Sequence, residues 1–180
     1  MLTIAITSQA QIVNGSFENG FTGWNTMSGD FIIGALGGPA VGTSGGNCAV
    51  IGGGDIKGSI LSQTIPTFSY GKSYLLQYDS LASVPDLQSP QTASWKVVIV
   101  ADARTVFSKN FSQKSIGFPG GSFGFIHRQI CFNVPLNTKN ITISFVDTTV
   151  GSGIDPAFDS VSLASVRERS SIGMIQTRKH

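Results

Sequence analysis

The chain has 180 residues, of which 41% are hydrophobic and only 12% are charged, about half the charge of an ordinary soluble domain. This composition excludes a wholly disordered chain, and no apolar run approaches the roughly 18–20 residues of a membrane-spanning helix. Residues 167–180 hold four of the 12 basic residues and one of the 10 acidic ones. The remaining body, with 8 basic and 9 acidic residues, has no excess of positive charge of the kind that binds nucleic acid.

The first ten residues combine a short apolar run at positions 2–6 with small residues at Ser8 and Ala10. This pattern is typical of the end of a secretory signal, although the basic start of such a signal is missing. A first strand is the alternative for the same run. We expect a leader-like segment at residues 1–10 and a protein that is secreted or displayed at the cell surface.

From residue 11 onward, apolar and polar residues alternate with a period of two, which is the pattern of half-buried strands. The clearest stretches are 58–65, 74–80, 95–103, 129–134 and 141–145, and clusters of Gly, Pro, Asn and Ser separate them. No stretch has a convincing helical pattern. The sequence therefore predicts one all-β domain over residues 11–166, an antiparallel β-sandwich. Residues 167–180 lose the alternation and are predicted to form a mobile basic tail.

Two motifs flank this body. Residues 12–18 have the sequence IVNGSFE, followed by GFTGW at 20–24, and residues 151–163 have the sequence GSGIDPAFDSVSL. Between them, LSQTIP at 61–66 precedes GKSYLLQY at 71–78. In this order the motifs resemble those of secreted jelly-roll modules with a galactose-binding-like fold. Choice-of-anchor C proteins, related plant cell-wall proteins and carbohydrate-binding modules are members of this group.

The resemblance implies a non-catalytic sandwich that often holds a structural calcium ion. By motif position, the calcium ligands would be Glu18 and Asp159. The sequence adds a physical reason, because Asp159 shares strand parity with Val161 and Leu163 and its carboxylate is expected on the core side. A carboxylate there needs a partner, and a hard cation with oxygen ligands would supply one. The alternative is that both acids bind backbone N–H groups where the two motifs meet.

Three aromatic residues are candidates for a glycan platform. Tyr74 and Tyr78 lie on the same side of one predicted strand, and Trp95 begins the next. Carbohydrate modules stack such rings on the apolar faces of sugars, so an exposed group of these three would bind glycan. The alternative is that all three rings belong to the core, as aromatic side chains on alternating strands usually do.

The sequence favours no catalytic site. His127 is the only histidine before the tail, and its neighbour Arg128 makes a polar surface role the better interpretation. The stretch GGSFG at 120–124 matches a nucleophile elbow in form, but the helix that must follow is missing. Cys48 and Cys131 fall in different predicted strands, where they would form either one disulfide or two buried free thiols.

These observations predict a non-catalytic, extracellular or surface module that binds glycan or cell-wall polysaccharide. The alternative is a structural protein, such as a filament or surface-layer subunit, that assembles with itself through the same sandwich. An early apolar segment would then add a strand to a neighbouring sheet.

Overall fold

The computed structural model describes residues 12–27, 31–33, 46–52, 58–66, 73–83, 91–115, 124–150 and 154–166. The predicted leader at 1–10 and the predicted tail at 167–180 lie outside these residues. Nine strands form within the described ranges: β1 (Phe31–Ile33), β2 (Cys48–Val50), β3 (Ile60–Pro66), β4 (Ser73–Ser83), β5 (Thr92–Ala101), β6 (Arg104–Lys114), β7 (Ile126–Asn133), β8 (Asn140–Asp147) and β9 (Asp155–Val166).

The strands form two antiparallel sheets that pack face to face. The five-stranded sheet has the order β1-β2-β9-β4-β7, and the four-stranded sheet has the order β3-β8-β5-β6. The predicted all-β sandwich is confirmed, and its jelly-roll architecture with it. The described part of the chain contains no helix, and therefore none that is long and apolar enough to cross a membrane.

Alternating burial confirms the strand predictions. In β8, Ile141, Ile143 and Phe145 are buried while the residues between them are partly exposed. In β5, every second residue from Ala93 to Ala101 is buried. Because successive side chains of a strand point to opposite faces, one face of each sheet builds the core and the other meets solvent.

Tyr74, Tyr78 and Trp95 belong to this core, with no more than 1% of each exposed. The Trp95 Nε1–H donates to Tyr78 Oη over 3.3 Å inside the sandwich. The prediction that these rings form a glycan platform is therefore wrong. The physical reason is strand parity, since these side chains project from β4 and β5 toward the opposite sheet and are covered by it.

A β-bulge in β9 changes the expected side of Asp159. Gln77 of β4 pairs with Ser162, but two residues later Asp79 pairs with Asp159, and the bulged Ser160 has a positive φ of 53°. Residues directly opposite in an antiparallel pair share a face. Asp159 therefore lies on the outer face with Asp79, and the prediction of a core-side carboxylate is wrong because parity reverses at a bulge.

The two flanking motifs meet at β9. The Val161 N–H donates to Gly15 O over 2.9 Å. A Cβ atom added at Gly15 would lie 1.9 Å from the backbone carbonyl oxygen of Val161. The Gln63 side chain of β3 bonds both backbone groups of Val13, at 2.8 and 2.9 Å. The first motif thus closes one end of the sandwich by contacting both sheets.

The cysteines are free. Cys48 of β2 and Cys131 of β7 are separated by β9 and β4. Three strand spacings of about 4.8 Å each place them roughly 14 Å apart, twice the reach of a disulfide. The free-thiol alternative is the one that the structure shows, although Cys131 is exposed rather than buried.

Candidate functional site

The outer face of the five-stranded sheet carries a polar network between β4 and β7. The register places Gln77 opposite Gln129 and Asp79 opposite His127. Since opposite residues share a face, the four side chains lie together on the surface that points away from the core. We call these four residues the His127 network.

The network is held by three contacts to one imidazole ring. His127 Nδ1 lies 2.8 Å from Asp79 Oδ1, and the Nε2 atom lies 3.3 Å from the side-chain amide nitrogens of both Gln77 and Gln129. The carboxylate accepts the proton on Nδ1, so in the neutral ring Nε2 is the acceptor for the two amides. Asp79 thereby sets the tautomer that aligns the two glutamines.

This network is open to solvent at the histidine. The His127 side chain is 53% exposed, whereas that of Asp79 is 14% exposed. Each glutamine amide has a carbonyl oxygen and a second N–H group besides the one directed at His127, so the pair provides both acceptors and donors at the surface. Such a set can hydrogen-bond neighbouring hydroxyl groups of a ligand that lies across the two strands.

Asp159 extends the polar row to β9 but is covered. It lies opposite Asp79 in the register, is fully buried, and accepts a hydrogen bond from the Ser160 backbone N–H. Burial, followed by the nearby charge of Asp159, raises the pKa of the Cys48 thiol to about 12. Asp159 therefore lies beside Cys48 and is inaccessible to a ligand in solvent.

Glu18 also contacts this short segment. Its Oε1 accepts the Asn47 backbone N–H over 2.9 Å, one residue before Cys48. The two carboxylates predicted as calcium ligands thus both flank Asn47–Cys48, and each accepts a backbone N–H. Among the described residues, no cluster of three or more His, Cys, Asp or Glu side chains is arranged to hold a metal ion.

Sequence reasoning placed the parts of the His127 network without joining them. It gave His127 a polar surface role, and the period-two alternation around Tyr74 and Tyr78 leaves Gln77 and Asp79 on the face opposite the tyrosines. Which residues of β7 face β4 depends on a register across about 50 positions of chain, and no local pattern encodes that register. The only available signal was the coincidence of Gln, Asp and His on the polar sides of two alternating strands.

Comparison with models of protein families and with curated protein sequences gave no match. Solved structures do match. TmCBM61, solved in complex with β-1,4-galactotriose, is 14% identical, with a TM-score of 0.60 over 88% of this chain and 100% of that one. The CBM22-1 xylan-binding domain of Paenibacillus barcinonensis Xyn10C is 12% identical, with a TM-score of 0.56 over 86% and 93%. The sandwich is the fold of carbohydrate-binding modules.

The same fold is also found in an enzyme. The Stig cyclase Fisc from Fischerella sp. TAU, in complex with an indole compound, is 16% identical, with a TM-score of 0.64 over 88% of this chain and 98% of that one. At such identities the likeness establishes the architecture, and the function must be argued from the site itself.

Proposed function

We propose that this protein is a non-catalytic glycan-binding module whose ligand lies on the outer face of the five-stranded sheet. The observation that carries the proposal is the His127 network. Two glutamine amides held by one half-exposed imidazole provide both hydrogen-bond donors and acceptors, and a sugar hydroxyl group can act as either. The same sandwich in TmCBM61 was solved with a galactose oligosaccharide, which supports the ligand class.

The absence of catalysis is part of the proposal. General acid–base chemistry on a glycosidic bond uses two carboxyl groups that both reach the substrate. Here Asp79 and Asp159 lie on neighbouring strands, but Asp159 is fully buried. Of the pair, only Asp79 can contact a ligand, and its carboxylate already binds His127.

Calorimetric titration with oligosaccharides of β-1,4-galactan and xylan tests the proposal. Each lost hydrogen bond costs about 0.5–1.5 kcal/mol, so the double variant Gln77→Ala/Gln129→Ala should weaken binding about tenfold. Thr64→Ala is the control, because Thr64 is exposed on the other sheet, where it bonds Thr142. Binding that is equal in both variants, or absent for every glycan, would contradict the proposal.

We also propose a structural calcium ion between Glu18 and Asp159. Both carboxylates flank Asn47–Cys48, and the backbone oxygens of Phe17 and Glu18 accept only long contacts of 3.4 Å from the Asn47 amide. Oxygen donors of these kinds suit a hard cation. With fewer than three such side chains grouped there, carbonyl oxygens and water must complete its coordination.

Thermal unfolding with and without EDTA tests the calcium site. An ion bound only to the folded state raises Tm, so exhaustive chelation should lower it by several degrees. Glu18→Gln should lower Tm in calcium and abolish the effect of EDTA. A Tm that chelation does not move would remove calcium from the account and leave Glu18 as a ligand of the Asn47 N–H.

Secretion or surface display follows from the same proposal, since cell-wall polysaccharides lie outside the cell. Closer kinship with the choice-of-anchor C proteins and self-assembly both stay predictions. Light scattering tests the second: a particle of 18.9 kDa at all concentrations would exclude assembly.

A further inference from the structure

The edge strands β6 and β7 face each other across one open side of the sandwich. Each is the last strand of its sheet. Near the end of β6, the Gln113 side chain donates to Gly124 O, two residues before β7 begins. The start of β6 therefore lies near the end of β7, and the end of β6 near the start of β7. We call the space between them the edge cleft.

Three cations point into the edge cleft. Lys109 pairs with the buried Val97, and Arg104 pairs with the buried Ala101, so both share the inward face of β6. Arg128 lies two residues before the buried Ile130, so its side chain is also on the inward face of β7. The neutral body of the chain thus concentrates positive charge at this one opening.

Aromatic rings fix two of these cations. The Arg128 Cζ lies 5.6 Å from the Trp95 ring and 5.9 Å from the Phe111 ring, and Lys109 Nζ lies 5.4 Å from Phe111. Trp95 and Phe111 stack on each other at 5.9 Å with an angle of 14° between them. The guanidinium and the ammonium therefore both lie within 6 Å of one half-buried ring, Phe111, held by cation–π attraction.

Neither cation has a carboxylate partner in the described part of the chain, where the one ion pair joins Asp79 and His127. Two of the five guanidinium N–H groups of Arg128 have acceptors among the described residues: Nε donates to Ser80 Oγ at 3.2 Å, and Nη2 donates to Ser112 O at 3.5 Å. Asp102, the acid nearest to Arg104 in sequence, instead accepts the backbone N–H groups of Lys139 and Asn140. The positive charge in the cleft is not neutralised by these residues.

The far end of the edge cleft opens into a cavity of about 370 Å³, lined by Arg104, Thr105, Val106, Asn133, Val134 and Pro135. A volume of this size falls in the range of small-ligand sites. Lys109 is five positions after Arg104 on β6, which is roughly 16 Å. The cleft is therefore long enough for an oligosaccharide, with Arg104 at the cavity end and Lys109 and Arg128 toward the other.

We propose that the edge cleft is a second binding site, selective for an acidic saccharide whose carboxylate pairs with Arg128 and Lys109. A guanidinium fork matches a planar carboxylate in two parallel hydrogen bonds, and Arg104 meets the hydroxyl groups of the adjoining sugar. That the ligand is a saccharide rests on the proposed function. The site itself is distinct from the His127 network, which lies on the outer face of the sheet.

Calorimetric titration of the full chain with digalacturonate, galactobiose and acetate tests this inference. Digalacturonate should bind at least tenfold more tightly than either other probe, and its affinity should fall as salt is raised. Lys109→Gln and Arg128→Gln should each weaken it at least fivefold. The matched control is Lys96→Gln, which removes the same charge from the outer face of β5, one residue pair away. Arg128→Lys should restore only part of the affinity, because it keeps the charge without the fork.

The results of these titrations distinguish binding in the edge cleft from binding at the His127 network. Loss in Lys109→Gln, with Tm unchanged, supports the cleft even if Arg128→Gln destabilises the fold. Equal affinity for acetate and digalacturonate, or equal losses in Lys96→Gln and Lys109→Gln, would overturn the inference. Gln77→Ala/Gln129→Ala should leave digalacturonate binding intact. If neutral glycans fail to bind while digalacturonate binds in the cleft, the proposed function of the outer face fails and this inference stands.

Discussion

At the scale of single residues, Trp95 is the position where a role in the core and a role in glycan binding predict different results. It is fully buried and contacts Phe111 and Phe158, with its N–H satisfied by Tyr78. Truncation to alanine removes those contacts and leaves a cavity, so Trp95→Ala should lower the free energy of unfolding by about 3–5 kcal/mol. Urea unfolding measures this loss.

The matched control on the same strand is Thr92→Ala, at an exposed position that should change stability by about 0.5 kcal/mol or less. A Trp95→Ala variant that keeps its stability but loses glycan binding would show that the ring is a surface platform after all.

The two thiols are expected to differ in reactivity. Cys131 is exposed, whereas Cys48 is buried with its pKa raised to about 12. At pH 8 Cys48 is therefore almost entirely in the protonated form, whereas the thiolate is the reactive form. A disulfide-exchange reagent such as DTNB should titrate one thiol in the native protein and two in denaturant. No thiol in denaturant would indicate a disulfide.

The raised pKa of Cys48 also makes the free energy of unfolding depend on pH. The pKa of Cys48 is higher in the folded state, so the contribution of the buried thiol to stability is fully present below about pH 9, the ordinary pKa of a thiol. It is lost as pH rises from there toward 12.

At the scale of elements, the contact between the first motif and β9 should be sensitive to one methyl group. A Cβ at Gly15 would lie 1.9 Å from Val161 O and 3.0 Å from the Ile12 side chain. Gly15→Ala must therefore displace the first motif from β9 and break the Val161–Gly15 hydrogen bond, with a loss of about 2 kcal/mol or more in unfolding free energy.

Gly46→Ala is its control, because a Cβ there meets no atom within 4 Å. Equal unfolding midpoints for the two variants would contradict the docking of the first motif on β9.

Strand identity and strand pairing differ in how far the sequence determines them. The alternation of Ile141, Ile143 and Phe145 predicted β8, since each burial choice is written in neighbouring residues. Pairing is not local. The bulge at Ser160 moved Asp159 to the outer face, and the register of β4 with β7 assembled the His127 network. Neither the bulge nor the register depends on a pattern within one strand. The sequence therefore predicted the sandwich but not the His127 network.

At the scale of the whole molecule, a nearly neutral body still has strong local fields. Its overall balance of charge, with 8 basic and 9 acidic residues, argues only against an excess of positive charge of the kind that binds nucleic acid. The fold instead gathers Arg104, Lys109 and Arg128 on one opening, while Asp79 and Asp159 lie on the outer face of the five-stranded sheet. Net charge affects solubility and long-range attraction, whereas the topology determines where on the surface the individual charges lie.

The central claim is that glycan binds on the outer face of the five-stranded sheet. NMR titration of the isotope-labelled protein with β-1,4-galactan and xylan oligosaccharides tests it most directly, because the side-chain amide groups of Gln77 and Gln129 give their own signals. We expect at least one glycan to shift both amide signals and the ring signals of His127. The signals of Thr64 and Thr142 on the other sheet should stay unchanged. Shifts confined to the four-stranded sheet, or none at saturating sugar, would contradict it.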